Sequence, residues 1–205
     1  MLTNADIRRM ARESLRGNWV QAIVACIIFN VVLLVVNLIP NVGPFLQLII
    51  GGPLLFGIYL YFITLIRGGK PALADVFSGF PYFVSTFLLY LVMSIFIMLW
   101  TLLLIVPGVI ATLKYSQAFF IMNDNPEIGA MEAIRQSKEM MEGHKTRLFM
   151  LYLSFIGWML LCVVTAGIAL IWVGPYLYAA MAAFYHDLKH RKDMYATTDF
   201  NSIPV

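Results

Sequence analysis

Six apolar segments follow one another along this chain: Trp19–Ile39, Pro44–Ile66, Tyr82–Val106, Pro107–Met122, Leu148–Gly167 and Ile168–Leu188. About 20 apolar residues in helical form cross roughly 30 Å of hydrocarbon. Lipid cannot satisfy open backbone groups, and the strand alternation of a barrel is missing, so these segments are expected to be helices. Composition agrees: 61% of residues are hydrophobic and only 12% charged, where a soluble domain carries about 25% charge. The expected fold is an all-α polytopic membrane protein with six transmembrane helices in three hairpins. One membrane domain fills the chain. It holds an interfacial helix at 5–16, hairpins at 19–66, 72–122 and 148–188, a second interfacial helix at 127–143, and a tail at 189–205.

Charge sets the expected orientation. Of 14 Lys and Arg residues, 13 fall in Arg8–Arg16, Arg67–Lys70, Arg135–Arg147 and Lys189–Lys192. With six crossings these stretches share one side. The turns near Asn37–Pro44, Val106–Pro107 and Thr165–Gly174 carry no charge. The positive-inside rule then places both termini in the cytoplasm. The N-terminus starts with a charged helix-like segment and lacks a cleavage site, so it is expected to be retained. Cys26 and Cys162 lie in apolar runs and read as small buried hydrophobes.

Two charged stretches are amphipathic. In Ala5–Arg16 a 100° step groups Ile7, Met10, Ala11 and Ser14 on one face, with Arg8, Arg9, Arg12 and Arg16 on the other. In Glu127–Glu142 the apolar face holds Ala130, Ala133, Ile134, Ser137, Met140 and Met141. Arg135–Glu139 and Lys138–Glu142 stand at i,i+4, worth a few tenths of a kcal/mol each. These helices either lie in the membrane interface or pack on the cytoplasmic ends of the bundle.

The chain also repeats itself. "ARESLRGNW" (Ala11–Trp19) aligns with "SKEMMEGHK" (Ser137–Lys145), glycine on glycine, and an apolar segment follows each. The next segments carry Gly-Pro, in "GGPLLFGIYLYF" and "VGPYLYAAMAAF". Ala72–Phe80 and Pro107-Gly108 make a looser third copy. Pro53, Pro107 with Gly108, and Pro175 are the expected helix irregularities, because proline frees a backbone carbonyl.

The stretch "IVPGVIATLKYSQAFFIMNDNPEIGAMEAIRQSKEMMEGHKTRLFMLYLSFIGWMLL", with "GIALIWVGPYLYAAMAAFYHDL" and "ARESLRGNW", resembles a bacterial family of membrane proteins. It is the family numbered 975 among the domains of unknown function. The chain is also distantly similar to the non-catalytic membrane domain attached to some glycerophosphodiesterases. The resemblance implies a bacterial cell membrane and a six-helix bundle, and no substrate.

One residue breaks the pattern. Lys114 is the single Lys or Arg outside the four clusters, and the one carboxylate within the apolar segments, Asp187, stands at the very end of the last. Lys114 follows Pro107 by seven residues, about 10 Å along a helix. This places it near the middle of a short span, where a charge costs at least about 2.5–3.5 kcal/mol. It is expected to face a wet cavity or carbonyls freed by Pro107. Tyr115, Gln117 and, from another span, Asn30 are the expected companions in a site for a lipid headgroup, a peptide carboxylate or another anion. The bland alternatives are snorkelling and a structural donor that joins helices.

No phosphate loop, nucleophile elbow, paired intramembrane carboxylate or zinc cluster is present, so no enzyme and no cofactor is expected. "HDLKH" (His186–His190) has two histidines at i,i+4 but reads as the charged end of a helix, with no metal. The function read from the residues is binding or moving an amphipathic or anionic ligand. The alternative is a scaffold working through the Arg8, Arg9, Arg12 and Arg16 face. Expected partners are anionic membrane lipids and a membrane-protein partner or second copy, with no nucleic acid.

Overall fold

The computed structural model describes the backbone of residues 2–165 and 167–201, and the side chains of 2–165 and 167–191. Among the described residues every regular element is a helix. The first, α1 (Asn4–Leu15), starts on a capping box. The Asp6 amide donates to Thr3 Oγ1 at 3.2 Å, and the Thr3 amide donates to the Asp6 carboxylate at 2.9 Å. Two donors left open at a helix start are thereby met. Ile7, Ala11 and Leu15 are fully buried. They press on the last helix, α10 (Leu170–Asn201). The apolar face of α1 is therefore closed by the bundle, and Leu15 rather than Ser14 completes it.

Next, α2 (Trp19–Asn37) and α3 (Gly43–Ile66) form the first hairpin. Its turn holds Asn41 at φ +63°, a conformation asparagine tolerates. After α3 the chain reverses at Gly68, φ +79°, and runs back along α3. The short 3₁₀ helix Leu73–Phe77 lays its backbone directly on it. A Cβ on Gly57 would strike the Val76 carbonyl and lie 2.8 Å from the Asp75 oxygen. Gly79 abuts Pro53 in the same way, and Gly52 abuts the Thr86 carbonyl. Small residues permit such backbone approach. The segment expected as a surface copy of the repeat is thus a strap on α3.

Helices α4 (Phe83–Leu103) and α5 (Ile105–Tyr115) are joined by one extended residue, Leu104, at φ −163° and ψ 146°. Pro107 falls in the first turn of α5, where an N–H has no intrahelical acceptor anyway. The expectation that Pro107 frees carbonyls for Lys114 is corrected. Gly108 instead packs against Thr101 of α4. Pro53 and Pro175 do lie inside helices, α3 and α10. The fourth apolar segment is two helices: α5 stops at Ser116-Gln117, and α6 (Ala118–Asp124) follows.

Then comes α7 (Ala130–Met140), which buries Ala133, Ile134 and Ser137 against α4 and α6. The fifth apolar segment is α8 (Lys145–Leu153) and α9 (Ile156–Val164), separated at Ser154-Phe155. α10 takes in the sixth segment and most of the tail expected at 189–205. Residues 202–205, and the side chain of Lys192 from the last basic cluster, lie outside the described residues. Gly17 and Gly143, the glycines aligned by the repeat, hold φ +86° and +74°. Each ends an amphipathic helix just before an apolar one.

Among the described residues, five stretches are long and apolar enough to cross a membrane: Trp19–Asn37, Gly43–Ile66, Phe83–Leu103, Ile105–Asp124 and Lys145–Val164. The chain is a multi-pass membrane protein by this measure. α10 is not among the five. Tyr176, Tyr178 and Tyr185 dilute its apolar half, while Ala179, Ala180, Ala182, Ala183 and Phe184 are fully buried. A helix wrapped by protein needs no apolar exterior.

Packing is uneven along the bundle. At the end bearing the charged turns, Phe62 stacks on Tyr178 and Phe120 on Tyr185. Asp124 there accepts from Arg67 at 2.7 Å, Tyr185 at 2.6 Å and Lys189 at 2.5 Å. At the charge-free end the hairpins splay: Leu38 is 71% exposed, Leu102 79% and Val164 83%. Exposed apolar surface on this scale suits lipid.

Candidate functional site

The site begins where α5 ends. A serine from α7 takes over the hydrogen bonds at that break: Ser137 Oγ donates to the Lys114 carbonyl at 2.7 Å and accepts from the Gln117 amide at 3.2 Å. Ser137 is fully buried. It therefore fixes α7 across the end of α5 and supplies partners that a broken helix loses.

This placement sets Lys114 beside the charged face of α7. Two adjoining hollows share Lys114 and Lys138. One, of about 250 Å³, is lined by Trp100, Pro107, Ile110, Ala111 and Tyr115 as well. The other, of about 310 Å³, adds Arg135, Glu139, Glu142 and Lys145. Lys114 thus stands where α5 ends, midway along the stretch Ile105–Asp124 and beside the charged face of α7.

The local ion pairing explains which charges remain open. Arg135 takes Glu132 at 2.6 Å and Glu139 at 2.7 Å. That pairing, with a hydrogen bond from Gln136, holds the Glu132 carboxyl down to about 2. The expected Lys138–Glu142 pair is absent, because α7 ends at Met140 and Glu142 falls beyond the helical register. Among the described residues, Lys114, Lys138 and Lys145 form no ion pair. Three cations from three elements face shared hollows with no carboxylate bound to them.

An apolar groove of about 610 Å³ leads away from this cluster between α5 and α8. Val106, Val109, Ile110 and Leu113 wall it on one side, at i, i+3, i+4 and i+7, which is one face of a helix. Thr146 and Phe149 wall it on the other, and Lys145 lines both the groove and the charged hollow. What the geometry can do chemically is bind a negative group beside a hydrocarbon slot.

A family model described as "Protein of unknown function (DUF975)" matches residues 1–113 and 101–192. The chain belongs to this DUF975 family. No curated protein and no solved structure matches. The similarity to the glycerophosphodiesterase membrane domain therefore remains what the sequence motifs alone imply.

Of the four ligand residues expected for this DUF975 protein, the structure gathers two. Lys114 and Tyr115 share a hollow, and the Tyr115 ring packs near Phe96 at 6.1 Å. Gln117 is fully buried on the far side of the turn; its Nε2 donates to Ser116 Oγ at 2.8 Å and its Oε1 has no partner. Asn30 lies elsewhere, in a groove of about 460 Å³ between α2 and α10, and donates to the Cys26 carbonyl at 2.8 Å. Lys138 and Lys145 were read as topology charges, and Ser137 as part of an apolar face. Only the periodic face of α5 hinted at the groove.

The Arg face of α1 is a separate surface. Arg9, Arg12 and Arg16 are exposed and Arg8 is half-buried. Arg9 sits 3.9 Å from Asp6 and 3.7 Å from Glu13. His186 and His190 lie with ring centroids 4.4 Å apart, and no group of three His, Cys, Asp or Glu gathers for a metal among the described residues. A second polar knot holds α8. Arg147 donates to Asp187 at 2.6 Å and to the Leu2 carbonyl at 2.7 Å, and lies 5.0 Å over the Phe184 ring.

Proposed function

We propose that this protein is a non-enzymatic bacterial plasma-membrane protein that binds an anionic amphiphile at Lys114, whether to hold it or to move it. One observation carries the reading: Lys114, Lys138 and Lys145, without an ion pair among the described residues, line one hollow, and Lys145 also lines the apolar groove beside it. The topology that goes with it has six crossings, α10 being the sixth, and both termini in the cytoplasm. The charge-free splayed turns face outward, as the positive-inside rule requires. The scaffold alternative draws on the exposed Arg face of α1.

The test is a titration in dodecyl maltoside micelles with dodecyl phosphate, against dodecyltrimethylammonium. Wild-type protein takes up dodecyl phosphate and not the cation. Lys114→Met weakens dodecyl phosphate binding about tenfold, equivalent to roughly 1.4 kcal/mol, without lowering thermal stability. Equal binding by wild type and Lys114→Met would sink the reading.

A further inference from the structure

We infer that the occupant is a glycerophospholipid of the inner leaflet with an anionic headgroup, its phosphate on the lysines and one acyl chain in the α5–α8 groove. This rests on the reading just given and names the ligand class. Three features of the molecule carry it.

The first is direction. α5 ends at Tyr115, next to Lys114, and α8 begins at Lys145, so both walls of the groove start from the charged cluster and run the same way from it. In the proposed topology that cluster is cytoplasmic. A bilayer phospholipid of the inner leaflet has this polarity: headgroup inside, chains directed toward the midplane. The groove from Leu113 to Val106 covers seven residues, about 10 Å of helix, which suits the upper part of a chain lying along the helix axis.

The second is the nature of the wall. The groove is apolar apart from Lys145 and Thr146, and on α5 Val106 and Val109 are open to the side, at 69% and 43% exposure. A ligand can enter sideways from the bilayer without crossing protein. A free phosphate or a peptide would leave this slot unused.

The third is charge. Lysines are point charges suited to phosphate oxygens, and basic pockets between helices on the cytoplasmic side are fit for anionic headgroups. Lys114, Lys138 and Lys145, which have no carboxylate bound to them, would repel a trimethylammonium headgroup. Discrimination between phosphatidylglycerol and phosphatidylcholine then follows from repulsion as well as attraction. Because Ser137 ties α7 to the Lys114 carbonyl, headgroup binding also braces α7 against the end of α5.

The experiment reconstitutes the full chain in nanodiscs of equimolar phosphatidylglycerol and phosphatidylcholine, then exchanges into detergent and measures retained lipid by native mass spectrometry. Wild type retains one phosphatidylglycerol per chain, at least fivefold over phosphatidylcholine. Lys138→Gln with Lys145→Gln removes the preference. Val109→Trp fills the groove at a partly open position and lowers retention at least fivefold with the lysines intact; Val106→Trp, farther along, serves if Val109→Trp fails to fold. Loss with the lysine variant but not with either tryptophan variant overturns the acyl-chain placement and leaves anion binding standing. No loss with the lysine variant overturns both. Equal retention of the two lipids by wild type overturns the headgroup assignment.

Discussion

Gly57→Leu is expected to abolish the stable fold. The strap at 73–79 meets α3 through backbone, and a Cβ at position 57 would strike the Val76 carbonyl and crowd the Asp75 oxygen at 2.8 Å. No flexible side chain is there to yield. Even Gly57→Ala forces the strap off α3, and overpacking of this kind costs about 1–3 kcal/mol. Leucine adds three more heavy atoms to the same gap and belongs with the exceptional losses above about 4 kcal/mol. The contact of Gly79 with Pro53 fails with it, since Gly57 and Gly79 serve the same seam between the strap and α3. The measure is denaturant unfolding in detergent micelles followed by tryptophan fluorescence. Gly157→Ala, where nothing lies within 4 Å of a new Cβ, should unfold at or slightly above the wild-type midpoint. Equal midpoints for Gly57→Ala and Gly157→Ala would contradict the strap.

Asp187→Ala has the second large effect. Asp187 is 8% exposed and its partner Arg147 13%. Arg147 Nε and Nη1 already have no hydrogen-bond partner, so the Asp187 contact carries much of the guanidinium's satisfaction. Removing one partner of a buried pair leaves an uncompensated charge, at a cost of about 3–5 kcal/mol. The loss is local in its consequence. α8 and α9 are otherwise held by the buried Leu148 and Leu151, by Phe155 and Trp158 against Tyr176, and by the groove contacts with α5. Detaching Arg147 therefore opens one wall of the lipid slot. The double replacement Arg147→Met with Asp187→Leu should recover most of the stability, since an apolar pair of similar size is often no worse than a buried ion pair. If Asp187→Ala alone is neutral, the knot is not what holds α8.

The contrast between what the residues announced and what they concealed follows from the range of each interaction. Apolar runs of bilayer length, the four basic clusters and the amphipathic face of α7 are local patterns, and they are found where periodicity put them. The Arg135–Glu139 pair is equally local and is made. Lys138–Glu142 fails because the end of α7 depends on the turn at 141–144, not on spacing. The break after Tyr115 carries no proline or glycine. It exists because Ser137, twenty residues from Gln117, supplies its hydrogen bonds, and no local signal marks that. Lys114 stood out at once as a charge in an apolar run. Its neighbours Lys138 and Lys145 are brought by α7 and α8, so its surroundings were not legible from the span alone. Gly51 and Gly52 of α3 lie against Tyr90 and Thr86 of α4, while Gly57 closes on the backbone of the strap, and no local signal separates the two contacts.

The most direct measurement of the central claim leaves the sequence untouched. Lysines of the wild-type protein are labelled with a water-soluble amine reagent in phosphatidylglycerol nanodiscs and in phosphatidylcholine nanodiscs, and labelling is read by peptide mass mapping. Lys70, exposed and outside the hollows, is the internal reference. The account predicts that Lys114, Lys138 and Lys145 are protected together in phosphatidylglycerol, several-fold relative to Lys70, and react freely in phosphatidylcholine. Equal reactivity of these three lysines in the two lipids would contradict it.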